Sequence, residues 1–158
     1  RGHAASCLPY DPWQDKVVLI EQFRPGPFAK GDTNCWMFEA IAGILEDGEN
    51  AEELVHREGL EEAGCRFMRI EHILDTYPSP GACSETLQMF VGCVDSTGLG
   101  GIHGLPEEGE DIRVVILTFS EAMQLLDTGG ITNANLIISL QWLAFHREAL
   151  QKRWLAIK

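Results

Sequence analysis

The sequence predicts an α/β domain of the α+β type, in which helices pack on a mixed β-sheet. Its 158 residues are enough for one domain with one hydrophobic core, and we expect residues 1–158 to form it. Two predicted strands, residues 67–77 and 86–94, follow each other with a Ser-Pro-Gly break between them. Strands and helices therefore do not alternate regularly, which favours a mixed sheet over a doubly wound parallel sheet.

The N-terminal part contains two predicted strands separated by a loop. Residues 17–20 form the apolar run Val-Val-Leu-Ile after a turn that contains Asp11-Pro12, which indicates a buried strand. Residues 24–34 are rich in Pro and Gly, so we expect a loop there. Residues 36–44 are apolar again and are interpreted as strand.

A helix is predicted from residue 51 to residue 63. Asn50 precedes it as a candidate N-cap, and Glu53 lies three positions later, as in a capping box. Gly64 is well placed to end the helix, because glycine readily adopts the left-handed conformation that many helix ends require.

The C-terminal part begins with a Gly-rich loop over residues 96–109 and an apolar strand over residues 112–119. Ser120 is expected to cap a short helix that ends near Gly129. The last helix should begin near Asn135. Its apolar stripe predicts a face that packs on the core, and it consists of Leu136, Leu140, Leu143, Leu150 and Trp154.

Charge and composition exclude several functional classes. The formal net charge is −12, and a surface this acidic repels nucleic acid and anionic membranes. No apolar run approaches the roughly 20 residues that cross a bilayer. The five cysteines include no C-x-x-C pair, which argues against a disulfide framework or a structural zinc site. We therefore expect a cytoplasmic protein with reduced thiols and without nucleic-acid or membrane partners.

Three glutamates project from one face of the predicted helix. Glu58, Glu61 and Glu62 lie at positions i, i+3 and i+4, where like charges destabilise an isolated helix. At about 5 Å and an effective dielectric of 20, one such repulsion is roughly 3 kcal/mol. The spacing by itself is compatible with a solvated acidic face and equally with a site for hard divalent cations, which prefer oxygen ligands.

The residues around these glutamates match a longer pattern. From Gly43 to Cys65 the chain resembles the Nudix box, G-x5-E-x7-R-E-U-x-E-E-x-G-U, in which U is apolar. Every polar and glycine position is present, and one apolar position is occupied by Gly59. Glycine inside a helix costs up to about 1 kcal/mol relative to alanine. We expect Gly59 to leave a gap in the apolar face, so that Gly59→Ala stabilises the helix if a methyl group has room.

The resemblance to the Nudix hydrolase superfamily implies a fold and a metal site. The fold is a mixed sheet between helices, with the box forming a loop–helix–loop. The cofactor would be Mg²⁺, for which Mn²⁺ could substitute. The implied metal ligands are the carboxylates of Glu58, Glu61 and Glu62, together with the backbone carbonyl of Ala42, just before the box.

Two charged residues of the box have implied roles beside the metal ligands. Arg57 and Glu49 would orient the ligand carboxylates through salt bridges, and groups of this kind tune a metal site. Arg57, like Glu61, is counted among the candidate catalytic residues.

The chain downstream of the box resembles the ADP-ribose pyrophosphatase branch of the superfamily. Pro80 lies fifteen residues after the box, in the segment Ser-Pro-Gly-Ala-Cys-Ser-Glu, which also predicts a turn between strands. The acidic segment of residues 107–111 resembles the catalytic loop of that branch, although without the resemblance it would be interpreted as a solvated loop. In this resemblance Glu108 is the general base and Glu110 an additional metal ligand.

The same resemblance assigns residues to the substrate. Arg24 corresponds to a phosphate-binding residue, and four more positions correspond to the substrate pocket: Glu39, Ser79, Gly81 and Glu85. The implied reaction is the Mg²⁺-dependent hydrolysis of ADP-ribose to AMP and ribose 5-phosphate. Two alternatives remain, namely hydrolysis of another nucleoside diphosphate sugar such as GDP-mannose or an ADP-sugar, and a catalytically silent module that senses ligands.

Members of this branch usually carry an additional N-terminal segment that helps to hold the adenine and is often swapped between the subunits of a homodimer. The chain begins almost at the core domain, so we expect this segment to be absent. Its absence would raise KM for substrate more than it would lower kcat, because a uniform loss of binding affects mainly KM.

Overall fold

The computed structural model describes residues 2–156, apart from the side chain of Glu108. An eight-stranded sheet forms the centre of the domain, and its strands are ordered β5-β6-β1-β2-β8-β7, with β4 paired to β1 and β3 paired to β2. The strands are β1 (Ala4–Asp11), β2 (Lys16–Phe23), β3 (Trp36–Glu39), β4 (Ile41–Ile44), β5 (Arg69–Thr76), β6 (Leu87–Cys93), β7 (Gly101–His103) and β8 (Ile112–Thr118). The helices are α1 (Pro25–Lys30), α2 (Ala51–Ala63), α3 (Phe119–Asp127) and α4 (Ala134–Leu155), and a 3₁₀ turn spans Pro106–Glu108.

The sheet is mixed, as the sequence predicts. β1 runs parallel to β6, whereas its pairings with β2 and β4 are antiparallel. β1 and β2 pair only at Tyr10–Val17 and Asp11–Lys16. Beyond that point the two strands separate, and β4 and β3 fill the space along β1 and β2 respectively. The connection between β3 and β4 therefore lies at the centre of the sheet, where β1 and β2 separate.

Helices cover both faces of the sheet. On one face α2 packs through Leu54 and Val55 against Ala5 and Cys7 of β1. On the opposite face α3 and α4 pack against alternate residues of the same strand, which include Leu8. All five residues of the apolar stripe predicted for α4 are buried in this second cluster, namely Leu136, Leu140, Leu143, Leu150 and Trp154.

Several element boundaries differ from the sequence-based predictions. The central strand β1 was not predicted at all. The predicted loop 24–34 contains the six-residue helix α1, which begins at a proline and ends at Gly31 in the left-handed conformation. The predicted strand 36–44 is two strands that pair with different neighbours. The Gly-rich loop 96–109 includes the edge strand β7, which pairs with β8.

The N-cap of α3 is Thr118 rather than Ser120. The Thr118 side chain accepts a hydrogen bond from the backbone of Glu121, and the Glu121 side chain in turn accepts one from the Thr118 backbone. This reciprocal capping box satisfies two backbone donors, one more than a single capping side chain satisfies.

The structure contradicts the prediction that Gly59 leaves a gap in the apolar face of α2. A methyl group added at Gly59 would lie 2.5 Å from Cε2 of Phe67. The Phe67 ring therefore fills the space that a side chain at position 59 would occupy. Gly59→Ala is expected to destabilise the protein, because overpacking a filled site forces neighbouring atoms to move.

In the described part of the chain no helix is long and apolar enough to cross a membrane. All five cysteines are free thiols, and four of them are buried: Cys7, Cys35, Cys65 and Cys93. Burial raises the pKa of Cys65 to about 12, which keeps this thiol protonated and unreactive near neutral pH.

Candidate active site

A cleft of about 660 Å³ lies where the sheet divides. Its lining includes residues of α1, β3, β4 and α2 and of the loop after β7. Acidic and basic side chains dominate it, and those along its surface are Arg24, Glu39, Glu46, Arg57, Glu58, Glu61, Glu85 and Glu110. A polar cleft of this size and charge can accept a small anionic molecule if cations offset the repulsion.

Helix α2 is fixed at both ends by local hydrogen bonds. Asn50 accepts bonds from the backbone of Glu52 and Glu53, and Glu53 completes the predicted capping box by accepting from Asn50 N. At the other end Gly64 has φ 64°, and its N–H donates to the Leu60 carbonyl. These caps hold the helix turn that carries the three glutamates.

Glu62 is the most deeply placed of the three glutamates. Its side chain is 3% exposed, and its Oε2 accepts a hydrogen bond of 3.0 Å from the backbone N–H of Ala42. Burial raises the pKa of Glu62 well above its ordinary value, and the charges of Glu58 and Glu110 raise it further. A buried carboxylate in this position gains from any bound cation, because a cation offsets both effects.

The Glu58 side chain lies against Gly43 of β4, and both residues line the cleft. A methyl group at Gly43 would overlap the Glu58 side chain from Cγ to Oε1, so a side chain at position 43 would displace the Glu58 carboxylate. Burial raises the pKa of Glu58, Arg57 opposes this shift, and the charges of Glu61 and Glu110 add to it. The contact between Gly43 and Glu58 thus depends on the type of residue at both positions.

Arg57 connects the acidic residues of α2 to the loop before the helix. It donates two bonds to Glu49, from Nε to Oε1 at 3.0 Å and from Nη2 to Oε2 at 3.1 Å. Its Nη1 donates to Glu58 Oε1 at 2.9 Å and to Glu61 Oε2 at 3.2 Å. The bidentate partner Arg57 lowers the pKa of Glu49. Arg57 therefore orients three carboxylates at once.

The loop after β7 brings Glu110 to the same cleft. Glu110 Oε2 accepts a hydrogen bond of 3.0 Å from the backbone N–H of Leu105, which closes the loop on itself. The backbone N–H of Gly104 donates to the Glu61 carbonyl at 3.1 Å and ties the loop to α2. The candidate general base Glu108 lies in this loop, but its side chain is outside the described residues.

Arg24 faces the cleft in a pair with Glu39. Its Nε donates to Glu39 Oε1 at 2.8 Å and its Nη2 donates to Oε2 at 2.7 Å. The Glu39 side chain is 6% exposed, whereas 40% of the Arg24 side chain is exposed. The buried carboxylate therefore holds a partly exposed guanidinium group at the cleft surface.

The comparisons with known proteins agree with this geometry. A family model described as NUDIX domain matches residues 1–140. The chain belongs to this family. It is 46% identical over 154 residues to the ADP-ribose pyrophosphatase of Escherichia coli K12, which covers 98% of this chain and 73% of that protein.

Two further relatives are similar over most of this chain. The ADP-ribose pyrophosphatase of Haemophilus influenzae is 40% identical over 156 residues, with 98% of this chain and 72% of the relative covered. The GDP-mannose pyrophosphatase of Cronobacter sakazakii is 34% identical over 143 residues, with 90% of this chain and 74% of the relative covered. The mixed sheet between helices is thus the Nudix fold, and residues 43–65 are its box.

Eight of the sequence-predicted residues line the Nudix cleft: Arg24, Glu39, Ala42, Arg57, Glu58, Glu61, Glu85 and Glu110. Glu62 is buried and bonded to Ala42. Gly81 lines a separate shallow recess of about 500 Å³ beside Tyr77. Ser79 precedes that recess, and its carbonyl accepts bonds from the N–H groups of Ala82 and Cys83. Ser79 and Gly81 would therefore reach a substrate only if it extends beyond the main cleft.

Two of the polar cleft residues that sequence reasoning did not identify lie at the start of α4. These are Asn133 and Asn135. Asn133 also caps α4, since its side chain accepts a bond from Leu136 N. A capping pattern is the only local signal at these positions, and it indicates a helix start rather than a binding residue.

The acidic residues of the Nudix cleft fit a hard divalent cation in their chemistry. The carboxylates of Glu58, Glu61, Glu62 and Glu110 lie close enough for their charges to interact, and burial raises the pKa of Glu58 and Glu62, which a cation would lower. In the conformation present, no group of three acidic, His or Cys side chains among the described residues is arranged to hold an ion. Arg57 engages oxygens of Glu58 and Glu61.

Proposed function

We propose that the chain hydrolyses the diphosphate linkage of ADP-ribose to AMP and ribose 5-phosphate, with Mg²⁺ as cofactor and Mn²⁺ as a substitute. The observation that carries this proposal is the cluster of Glu58, Glu61, Glu62 and Glu110 in one cleft beside Arg24. Membership of the Nudix family and 46% identity to an ADP-ribose pyrophosphatase support it.

The residues of the cleft divide the work of this reaction. Glu58, Glu61, Glu62 and Glu110, with the carbonyl of Ala42, would hold the metal. When bound, Mg²⁺ offsets the negative charge of the diphosphate and polarises its phosphorus–oxygen bonds. Arg57 and Glu49 orient the carboxylates through the four hydrogen bonds described above.

Proton transfer and substrate binding fall to residues outside the box. Glu108 accepts the proton of the attacking water, and general-base help of this kind contributes about 10² to 10⁴ in rate. Arg24, which Glu39 holds at the cleft surface, binds a phosphate oxygen through a guanidinium N–H group. Glu39, Ser79, Gly81 and Glu85 would contact the rest of the substrate.

A product analysis tests the proposal directly. The purified chain is incubated with ADP-ribose, GDP-mannose and an ADP-sugar, each with Mg²⁺, with Mn²⁺ and with excess chelator, and the products are identified by chromatography and mass spectrometry. We expect AMP and ribose 5-phosphate from ADP-ribose, and no turnover with chelator. Undiminished turnover in chelator would refute the metal requirement, and the absence of AMP would refute the substrate.

GDP-mannose is the second candidate substrate, because relatives that are 34–36% identical to this chain are GDP-mannose pyrophosphatases. The higher identity to ADP-ribose pyrophosphatases favours ADP-ribose. The ratio of kcat/KM for the two substrates decides between them, since this ratio measures discrimination. A silent ligand-sensing module would show binding without turnover on the whole panel.

The proposal also includes the cellular location and the oligomeric state of the enzyme. A nucleotide substrate and an acidic surface fit a cytoplasmic protein, and the homodimer of the branch is the expected assembly. Light scattering of the purified chain at several concentrations measures its mass. A monomer at all concentrations would exclude the dimer for this chain.

A further inference from the structure

One aromatic ring lies between the Nudix helix and the sheet. Cε2 of Phe67 is 2.5 Å from where a methyl group at Gly59 of α2 would lie. On the other side, a methyl group at Gly92 of β6 would overlap the same ring at Cδ1. The ring therefore occupies a slot whose two walls are glycines, and the edge of the His56 ring also contacts it at a centroid distance of 5.9 Å.

Phe67 also connects two parts of the core. It packs against the cluster that contains Ala63 and Cys65, at the C-terminal end of the box. It packs equally against the cluster that contains Leu54 and Val55, on the N-terminal half of α2. A single ring thus belongs to both clusters that pack between α2 and the sheet.

The position of this helix determines where the carboxylates lie. Gly59 directly follows Glu58, and Glu62 lies three residues further, nearly one turn of the helix. Glu58 is in such close contact with Gly43 that no side chain fits between them. Glu62 is bonded to the backbone of Ala42 at 3.0 Å. A small shift of α2 relative to the sheet would therefore change both carboxylates at once.

From these contacts we propose that Phe67 is a positioning residue for the metal-binding carboxylates. The Nudix box has an apolar residue where this chain has Gly59, and the ring of Phe67 supplies the missing apolar atoms from the loop after the box. The ring sets the distance of α2 from the sheet and thereby places Glu58 and Glu62. This inference rests on the proposed function, because it assumes that these carboxylates bind a divalent cation.

A swap of the two residues tests the inference. The variants are Phe67→Ala, Phe67→Leu, Gly59→Leu and the double variant Gly59→Leu/Phe67→Ala, which returns the apolar side chain to the helix. Phe119→Ala is the matched control, because it removes a buried ring from the opposite face of the sheet. Folding is followed by circular dichroism and urea titration, Mn²⁺ affinity by electron paramagnetic resonance without substrate, and kcat with ADP-ribose.

We expect Phe67→Ala to weaken Mn²⁺ binding about tenfold, the lower end of the loss seen when groups that orient metal ligands are removed. Phe119→Ala should change it less than about twofold, because distant sites act independently. The double variant should regain most of the Mn²⁺ affinity and of kcat, and Phe67→Leu should be intermediate.

Three results would overturn the inference. The first is a folded Phe67→Ala protein with wild-type Mn²⁺ affinity, or with the same loss as Phe119→Ala. The second is a folded double variant that binds Mn²⁺ no better than Phe67→Ala. If Phe67→Ala fails to fold, Phe67→Leu and the double variant decide. The third is the failure of every Phe67 variant to fold, since the ring would then be required for folding rather than for placement.

A different result would refute the proposed function without refuting the role of Phe67. A wild-type chain that binds Mn²⁺ but leaves ADP-ribose intact would refute the substrate and leave the role of Phe67 standing, because the Mn²⁺ measurement uses no substrate.

Discussion

Helix α2 and the loop of residues 104–111 both bring acidic side chains to the cleft, but they are held in different ways. The helix is capped at both ends, buries Glu62, and carries Arg57, which pairs with three carboxylates. The loop contains one 3₁₀ turn and is held by backbone donors, from Leu105 to Glu110 and from Gly104 to the Glu61 carbonyl.

This difference indicates a division of roles. Side-chain burial and ion pairs with Arg57 hold the helix carboxylates in place. The loop is held near them by the N–H groups of Gly104 and Leu105, which donate to the Glu61 carbonyl and to the Glu110 carboxylate. We therefore expect changes in the helix to affect metal binding most strongly, and changes in the loop to affect it less.

The largest effect is expected from Glu62→Gln. We expect kcat/KM to fall about 100-fold or more, because a ligand contributes at least as much as the groups that orient it. Folding should be retained, since the amide oxygen can still accept from Ala42 N and a buried charge is removed. Kinetics over a range of Mg²⁺ concentrations and urea unfolding measure both. Near wild-type activity at low Mg²⁺ would contradict the expectation that changes in the helix affect metal binding most strongly.

Glu110→Gln tests the loop side. The amide oxygen can still accept the Leu105 N–H bond, so the loop should keep its conformation. We expect a loss of activity of about tenfold, the lower end of effects on metal sites, and a smaller loss of Mn²⁺ affinity than in Glu62→Gln. Asp111→Asn, at an exposed position of the same loop, is the control and should change little. A Mn²⁺ loss equal to that of Glu62→Gln would remove the distinction between the two regions.

Gly59→Ala sharpens the comparison by perturbing the helix without touching a carboxylate. We expect the free energy of unfolding to fall by about 1–3 kcal/mol, because the methyl group would overpack against Phe67. Gly26→Ala in α1 is the matched control, since a methyl group there meets no atom within 4 Å. It should stabilise the protein by a few tenths to about 1 kcal/mol. Urea titration of both variants measures this, and a more stable Gly59→Ala protein would contradict the packing argument.

The smallest expected effect is the pH dependence of stability without metal. The pKa of Glu58 and Glu62 is raised in the folded state above 4.5, so the folded chain binds protons more tightly than the unfolded chain. Stability should therefore fall as pH rises from 4.5 through the raised values, and level off above them. Mg²⁺ should oppose this fall, because it binds the ionised carboxylates.

Glu62→Gln provides the difference measurement for this pH dependence. Glu49 and Glu121 have a lowered pKa and lose their contribution as pH falls below 4.5, but they are present in both proteins and cancel. The slope above pH 4.5 should be shallower in the variant. Identical curves for the two proteins would show that Glu62 is not the group responsible.

The elements that were predicted correctly carry strong local signals. Both ends of α2 are marked by residues in or directly beside the helix. The capping box of Asn50 and Glu53 marks its start, and Gly64 in the left-handed conformation marks its end. The missed strand β1 has the sequence Ala-Ala-Ser-Cys-Leu-Pro-Tyr-Asp, in which most residues favour strands weakly. Its proline lies where β1 pairs with neither β4 nor β2. Pairing with distant strands, rather than propensity, makes this segment the centre of the sheet.

The sequence by itself determined the chemistry of the box, because the spacing of Glu58, Glu61 and Glu62 on a helix and the caps around them act within a few residues. Tertiary structure decided what no local pattern contains. It placed Phe67 in the space beside Gly59 and paired Arg24 with Glu39 at the cleft. It also placed Gly81 in a recess separate from the cleft. These outcomes depend on segments brought together by the core, where close packing leaves one arrangement for each side chain.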